Sequence, residues 1–170
     1  MMTLEEAITN AIAYETRIRN IYREAVQGTD DPKGRKIFEA LAEDEQRHID
    51  YLEAKRTQWY AEGRITVESL TSRIPAPALL AADTEDLQHT MSREDRTDEK
   101  RMLSKALQVE VETSAFYRRL VAQMEGDARA MFARFLEIED GHIAAVQAEL
   151  DYISHTGFWF DFQEFDMEHG

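Results

Sequence analysis

Cysteine is absent from the 170-residue chain, and its absence excludes several kinds of redox and metal chemistry. Without thiolates the chain forms no disulfide, no cysteine-ligated zinc site, no iron–sulfur cluster and no rubredoxin-type iron centre. Glycine and proline are scarce as well, with seven and three residues. Because both residues interrupt helices, their scarcity favours long uninterrupted helices.

Long apolar runs and positive charge are the other deficits. No stretch approaches the roughly 20 apolar residues that span a membrane, and the acidic N-terminal segment 1–6 lacks the apolar core of a signal peptide. The 34 acidic residues outnumber the 20 basic ones, which gives a net charge of -14. A charge of this sign repels nucleic acid and anionic membranes. We therefore expect a soluble, cytoplasmic protein that binds neither.

Apolar residues at helical spacing predict four helices, joined in two hairpins. The helix ends are predicted where glycine, proline or capping residues interrupt the pattern. The predicted helices run from Thr3 to Gly28, from Asp31 to Glu62 with Gly63 as the stop, from Ser92 or Thr97 to Gly126, and from there to about His155 with Gly157 as the stop.

Residues 64–91 break the helical pattern between the second and third helices. Two of the three prolines lie in this segment, and one short helical turn is predicted near residues 78–82. A connection of this length suits a crossover along a helix bundle. Residues 1–156 are thus predicted to form one all-α four-helix bundle, followed by a tail, residues 157–170. The tail has five aromatic residues that need burial, on the bundle or on a partner subunit: Phe158, Trp159, Phe160, Phe162 and Phe165.

The most informative motif is Glu45-Gln-Arg-His48 in the second helix. Helical spacing puts its carboxylate and its imidazole on the same face. One such pair alone is more typical of a solvated helix surface than of a metal site. Here a second copy, Glu139-Asp-Gly-His142, lies in the fourth helix, and each copy is centred in an apolar stripe.

The two copies belong to an internal repeat. Glu15 lies 30 residues before Glu45, and Glu110 lies 29 residues before Glu139. The two halves are offset by 95 residues in the first helix of each pair and by 94 in the second. At about 1.5 Å per residue, the glutamates of the first pair both lie about 20 Å from their hairpin turn, and therefore at one level. The second pair straddles its turn in much the same way, which predicts a pseudo-symmetric four-helix bundle.

Four glutamates and two histidines would then meet inside the bundle. Burying four uncompensated carboxylates is costly and would force them to take up protons. Two divalent cations would cancel the four negative charges, and neutral imidazoles would complete the coordination. A site rich in oxygen and imidazole, without sulfur, suits iron or manganese, with zinc as a common substitute. The predicted ligands of this dinuclear site are Glu15, Glu45, His48, Glu110, Glu139 and His142.

Two tyrosines lie near the predicted ligands. Tyr22 and Tyr117 follow the glutamates of the first and third helices by two turns, on the same faces. They are either core aromatics or hydrogen-bond donors to ligating carboxylates.

Other glutamate, aspartate and histidine residues are not expected to bind metal. Glu43, Glu112 and Glu137 are each two residues from a predicted ligand, which puts them about 200° around the helix. His89 lies in the crossover, and the pair in Asp166-Met-Glu-His169 lies in the tail, where helical spacing is not expected.

With these motifs the chain resembles the rubrerythrin-like branch of the ferritin-like superfamily. The resemblance covers about residues 3–155, and the residues that carry it are Glu15, Glu45-x-x-His48, Glu110, Glu139-x-x-His142 and the two tyrosines. It implies a ferritin-like bundle, made of two helical hairpins with a long crossover, that holds two iron ions. It also implies that the glutamates of the first and third helices are terminal ligands or ligands that shift with the redox state. The glutamates of the two Glu-x-x-His motifs would bridge the metals, and each histidine would bind one metal.

The chain departs from that family in two respects. Rubrerythrins proper have a cysteine-rich rubredoxin domain, and this sequence has no cysteine with which to form one. They also have a further glutamate one turn after the helix-three ligand, where this chain has Thr113.

The resemblance implies a di-iron oxidoreductase that reduces hydrogen peroxide or dioxygen, as a peroxidase or a ferroxidase. Such an enzyme would need an external electron donor, and we expect a homodimer. The alternatives are a non-enzymatic iron storage or delivery protein and a structural metal-binding helical module.

Overall fold

The computed structural model describes residues 2–72, 74 and 97–159. The described part of the chain forms four helices and no strands, and this confirms the predicted all-α four-helix bundle. The helices are α1, Leu4–Gly28; α2, Pro32–Glu62; α3, Thr97–Gln123; and α4, Gly126–Thr156. The helical turn predicted near residues 78–82, the alternative start at Ser92, most of the crossover and the tail beyond Trp159 lie outside the described residues.

Local sequence explains where the helices begin and end. Thr3 and Glu6 form a reciprocal capping box at the start of α1. Asp31 accepts two backbone N–H bonds at the start of α2. Gly63 and Gly157 follow α2 and α4 with φ of 68° and 75°, a left-handed conformation that favours glycine. These caps confirm the predicted start of α1, both ends of α2 and the glycine stop after α4, whereas α3 ends at Gln123, three residues before the break predicted at Gly126.

The helices pack as two hairpins. Helix α1 packs along α2, α3 packs along α4, and α1 faces α3 across the bundle. None of the described helices has a stretch that is both long and apolar enough to cross a lipid bilayer.

The apolar core is divided into two clusters. The first cluster surrounds Tyr22, Phe38 and Ile153, and the second surrounds Tyr117 and Phe132. Every helix contributes to both clusters, and each predicted ligand lies in its helix between the residues of one cluster and those of the other. The bundle therefore has an apolar layer, a polar layer and a second apolar layer along its length.

The described start of the crossover runs past this polar layer. Ile65 and Leu70 pack in the second cluster, whereas Ile74 packs in the first. Between them, the Ser72 hydroxyl donates a hydrogen bond to the buried carboxylate of Asp44 in α2, at 2.8 Å. The segment thus covers one side of the polar layer.

The described part of the tail packs on the bundle. The Trp159 ring is 3% exposed and meets Phe38 edge to face, with ring centroids 5.2 Å apart. Its indole N–H donates a hydrogen bond to Glu99 of α3, and the same ring lies against Gly34 of α2. For Trp159 the expected burial on the bundle is confirmed, and the other tail aromatics from residue 160 onward lie outside the described residues.

Candidate metal centre

Each helix supplies one glutamate to the polar layer, and α2 and α4 each add a histidine. The structure brings together all six side chains that the sequence singled out, and each has an exposed fraction of 0%: Glu15 from α1, Glu45 and His48 from α2, Glu110 from α3, and Glu139 and His142 from α4. The repeat therefore places equivalent residues of its two halves at one level of the bundle.

One half of the layer is built around His48. Its Nδ1 atom lies 3.3 Å from Oε2 of Glu45, 3.6 Å from Oε2 of Glu15 and 3.6 Å from Oε1 of Glu139. The four ligand atoms of this group lie within 4.8 Å of one another, close enough to share one metal ion.

The other half is built around His142. Its Nδ1 atom lies 2.6 Å from Oε1 of Glu45, 3.4 Å from Oε1 of Glu110 and 3.6 Å from Oε2 of Glu139. These four residues form a second group with all ligand atoms within 4.8 Å.

The two groups share Glu45 and Glu139. In each of these carboxylates, one oxygen is the nearer to His48 and the other is the nearer to His142. The imidazole rings are nearly parallel, with centroids 5.5 Å apart. This arrangement is that of two neighbouring positions joined by two carboxylates.

The hydrogen bonding of the layer fits a pair of metal ions. Within the described residues, six carboxylate oxygens and both Nδ1 atoms of the cluster are buried without a hydrogen bond of proper geometry, although Nδ1 of His142 and Oε1 of Glu45 are only 2.6 Å apart. Both oxygens of Glu45 and of Glu139 are in this state, as is one oxygen each of Glu15 and Glu110. Buried polar atoms are normally paired, and these eight are oxygen and imidazole donors of the kind that iron and manganese take. The donor set therefore fits two such ions.

Without metal, protons balance the charge of this layer. Burial raises the pKa of Glu45 and of Glu139 well above the usual value, and the negative charge of Glu15 raises both further. Burial alone would lower the pKa of each histidine, but the surrounding carboxylates outweigh it and hold the pKa of both rings well above the usual value. These shifts favour the protonated form of both shared glutamates and of both imidazoles when no metal is bound.

The other two glutamates stay ionised. Burial alone would raise the pKa of Glu15, but the close contacts with Glu45 and His48 and the hydrogen bond from Tyr117 outweigh it and bring the pKa to about 2. Burial also acts against ionisation of Glu110, but the nearby charge of His142 and the hydrogen bond from Tyr22 lower its pKa.

The two tyrosines donate hydrogen bonds across the bundle. The Tyr22 hydroxyl of α1 bonds Oε1 of Glu110 in α3 at 2.5 Å, and the Tyr117 hydroxyl of α3 bonds Oε1 of Glu15 in α1 at 2.6 Å. Both rings are also fully buried in the apolar clusters. Burial and the adjacent carboxylates raise the pKa of both phenols well above the usual value, so both stay protonated and donate. Each tyrosine therefore holds one oxygen of one glutamate.

Sequence reasoning missed one residue of the site, Asp44. Its carboxylate is fully buried and lies 2.7 Å from Nε2 of His142 and 3.7 Å from Nε2 of His48. It also accepts hydrogen bonds from Ser72 and from the guanidinium of Arg47. Burial alone would raise its pKa, but the hydrogen bond from His142 outweighs it and holds the pKa well below the usual range.

Asp44 could in principle be a ligand itself. Its carboxylate and the two histidines form a third group of ligand atoms within 4.8 Å. That group has only one carboxylate, and both of its oxygens already accept hydrogen bonds. The two glutamate-rich groups are therefore the better metal positions.

The remaining residues of ligand type stay outside the cluster. Glu43 and Glu137 are exposed, and Glu112 is half-buried in an ion pair with Arg17. Thr113 is buried, but its hydroxyl donates to the carbonyl of Val109 in its own helix, so this position adds no carboxylate. The residues His89, Asp166 and His169 lie outside the described part of the chain.

The fold and the polar layer define a class of protein, a four-helix bundle whose core holds a carboxylate- and imidazole-rich cluster that could bind metal. Comparison with known families is more specific. The rubrerythrin family model matches residues 6–150, and the chain belongs to this family. The family is one of di-iron carboxylate proteins that are generally oxidoreductases, and no rubredoxin domain is indicated in this chain. Searches of curated proteins and of solved structures found no match.

Proposed function

We propose that the chain is a di-iron oxidoreductase that reduces hydrogen peroxide or dioxygen, as a peroxidase or ferroxidase. The observation that carries the proposal is the pair of four-residue groups that share Glu45 and Glu139. Family membership supports iron as the metal, and the oxygen and imidazole donors suit iron, with manganese or zinc as possible substitutes.

Six side chains would hold the metals. Glu15 and Glu110 would each bind one ion with the oxygen that the tyrosine leaves free. The shared carboxylates would bridge, and the Nδ1 atoms of His48 and His142 would each complete one position. Two ferrous ions bound there would supply the two electrons that reduce the oxidant.

The protein contributes charge balance and a dry, fixed site. Four carboxylates match the charge of two divalent ions, so loading leaves the six ligands and the ions neutral together, and the fifth carboxylate, Asp44, is paired with Arg47. Tyr22 and Tyr117 fix the rotamers of the terminal glutamates by hydrogen bonds. The two apolar clusters close the layer above and below, and strengthen each electrostatic contact within it.

Two further partners belong to the proposal. An external electron donor would regenerate the ferrous state, because the sequence has no cysteine for a second iron centre. A homodimer is proposed from the aromatic tail, and from the family resemblance. Size-exclusion chromatography with light scattering, on the full chain and on a chain shortened to residues 1–156, tests that proposal.

Single-turnover mixing tests the reaction. The protein would be loaded anaerobically with two equivalents of Fe²⁺ and mixed rapidly with peroxide or with oxygenated buffer. We expect oxidation of the centre with either oxidant, and a faster reaction with one of them identifies the substrate. A chain that isolates with zinc and shows no oxidation after iron loading would instead be a structural metal module. Iron that is oxidised and then retained in amounts above two per chain would indicate storage.

A further inference from the structure

The two halves of the centre differ in one respect that the repeat does not predict. His142 has a partner at its Nε2 atom, the Asp44 carboxylate at 2.7 Å. Within the described residues, neither ring nitrogen of His48 has a hydrogen-bond partner, and Asp44 lies 3.7 Å from its Nε2.

The sequence explains this asymmetry. The position that the repeat makes equivalent to Asp44 is Ile138, 94 residues later. Its side chain is buried in the second apolar cluster and cannot accept a hydrogen bond. The His48 ring packs against Phe135, edge to face, with centroids 5.5 Å apart. One histidine is therefore held by a charged acceptor and the other by apolar packing.

Asp44 is itself held in place. Oδ2 accepts from the Ser72 hydroxyl at 2.8 Å as well as facing His142, and Oδ1 accepts from Arg47. Because its position is fixed on both sides, the carboxylate determines where the imidazole of His142 points.

We propose that Asp44 is a positioning residue for His142 and makes the two metal positions unequal. The position of Glu110 and His142 then binds the tighter ion, and the position of Glu15 and His48 binds the weaker one. This inference rests on the proposed function, since it presumes that the cluster binds metal.

The physical reason lies in the tautomer. An acceptor at Nε2 keeps the proton on that nitrogen, which leaves the Nδ1 lone pair free and directed at the shared carboxylates. The negative acceptor also makes the imidazole a more basic ligand. A neutral His48 has no such constraint and must adopt the binding tautomer and orientation when the ion arrives. Removing an outer partner of this kind costs about 10- to 100-fold in metal affinity.

Cobalt binding to single-histidine variants tests the proposal. The variant His48→Ala keeps the His142 position, and His142→Ala keeps the His48 position. Titration of each metal-free variant with Co²⁺, followed by visible absorption, gives one dissociation constant for each position. We expect the His142 position to bind Co²⁺ at least about 10-fold more tightly.

The substitution Asp44→Asn is then added to each background. It should weaken Co²⁺ binding by about 10- to 100-fold where His142 is present, and leave it nearly unchanged where His142 is replaced. Asp140→Asn is the matched control. Asp140 follows the shared Glu139 and bonds Ser114, so it loses the same charge near the site without touching either imidazole. Circular dichroism and thermal unfolding of the metal-free variants verify that each one folds.

The outcomes separate this inference from the proposed function. Equal weakening by Asp44→Asn in both backgrounds would make Asp44 a general structural residue and overturn the inference. Equal affinity of the two single-histidine variants, or no binding by either, would overturn it as well. Failure of the unaltered chain to bind Co²⁺ or Fe²⁺ would instead defeat the metal function itself.

Discussion

The four buried glutamates divide into two kinds by their hydrogen-bond partners. Glu15 and Glu110 each accept a tyrosine hydroxyl from the opposite hairpin, and both remain ionised. Glu45 and Glu139 have no such donor and keep protons when metal is absent. The first kind is stabilised as an anion by the protein, whereas the second kind requires protons or metal ions.

The tyrosine contacts predict a loss of stability on removing one hydroxyl. In metal-free protein, Tyr117→Phe should lower the free energy of unfolding by about 1.5–3 kcal/mol, because a buried carboxylate loses a charge-assisted hydrogen bond. Urea unfolding measures the effect. Tyr60→Phe is the control, since Tyr60 also bonds a carboxylate, that of Glu5, but its side chain is 63% exposed. Equal effects of the two substitutions would contradict this assignment.

The shared glutamates predict a loss of metal without a loss of stability. At pH 7, Glu139→Gln should raise the unfolding midpoint of the metal-free protein, because the unfolded chain releases the Glu139 proton that the fold keeps, whereas the amide has no proton to release. It should lower the bound metal below two ions per chain, as measured by elemental analysis after loading with Fe²⁺. Glu137→Gln changes an exposed residue two positions away and should retain both ions. Two bound ions in the Glu139→Gln variant would remove this residue from the ligand set.

The cluster could be predicted from sequence because two independent patterns mark its residues. Each ligand-type residue lies in an apolar stripe, and each has an equivalent in the other half of the repeat. Asp44 lies outside the apolar stripe of its helix and has no equivalent ligand-type residue in the other half of the repeat. It lies about 100° around the helix from Glu45, and its equivalent is Ile138. Its role depends on a contact between α2 and α4 across the bundle, and a single sequence does not give the rotation of one helix against another.

At the scale of helices, the helix ends depend on residues close in sequence, whereas the contacts between helices depend on the whole fold. The caps at Thr3, Asp31, Gly63 and Gly157 act within a few residues, so the sequence predicted them correctly. The burial site of Trp159 is different, because it combines Gly34 of α2, Phe38 and Glu99 of α3. Only the need for burial could be read from the sequence, and not the place.

Two glycines in helices predict opposite effects of the same substitution. A methyl group at Gly34 would overlap the Trp159 ring, whereas at Gly141 nothing lies within 4 Å. We therefore expect Gly34→Ala to destabilise the protein by about 1–3 kcal/mol and Gly141→Ala to stabilise it by about 0.5–1 kcal/mol. Thermal unfolding measures both, and in a Trp59→Phe background, where Trp159 is the remaining tryptophan, the emission should shift to longer wavelength only in Gly34→Ala. A stable Gly34→Ala protein with unchanged fluorescence would contradict the docking of the tail.

At the scale of the whole molecule, the proposed metal binding would exchange protons of the polar layer for metal ions. The metal-free fold holds protons on its two shared glutamates and two histidines, which balance Glu15 and Glu110. Two divalent ions would replace those protons and balance the four glutamates, while Asp44 stays paired with Arg47. The same bundle is thus compatible with both states, but the two states respond to pH in opposite directions.

Raised pKa values in the folded state make the metal-free protein lose stability as pH rises. Above the ordinary pKa, 4.5 for the two glutamates and 6.5 for the two histidines, the unfolded chain releases protons that the fold holds more strongly, because the folded pKa of each group is raised. The folded state then binds more protons, so its free energy of unfolding falls by up to about 1.4 kcal/mol per pH unit for each group. The lowered pKa of Glu15, about 2, acts only below pH 4.5 and does not enter this range.

Metal loading should reverse that trend. Because ions displace the protons, metal affinity rises with pH, and bound metal stabilises the fold in proportion to its affinity. We expect the difference in melting temperature between loaded and metal-free protein to widen from pH 6 to pH 8, measured with Co²⁺ at fixed excess. In metal-free Glu139→Gln one proton-binding group is gone, so its stability should fall less steeply with pH than that of the unaltered chain. A difference in melting temperature that stays constant across this range would show that the buried layer holds no exchangeable protons, and that its charge is balanced in another way.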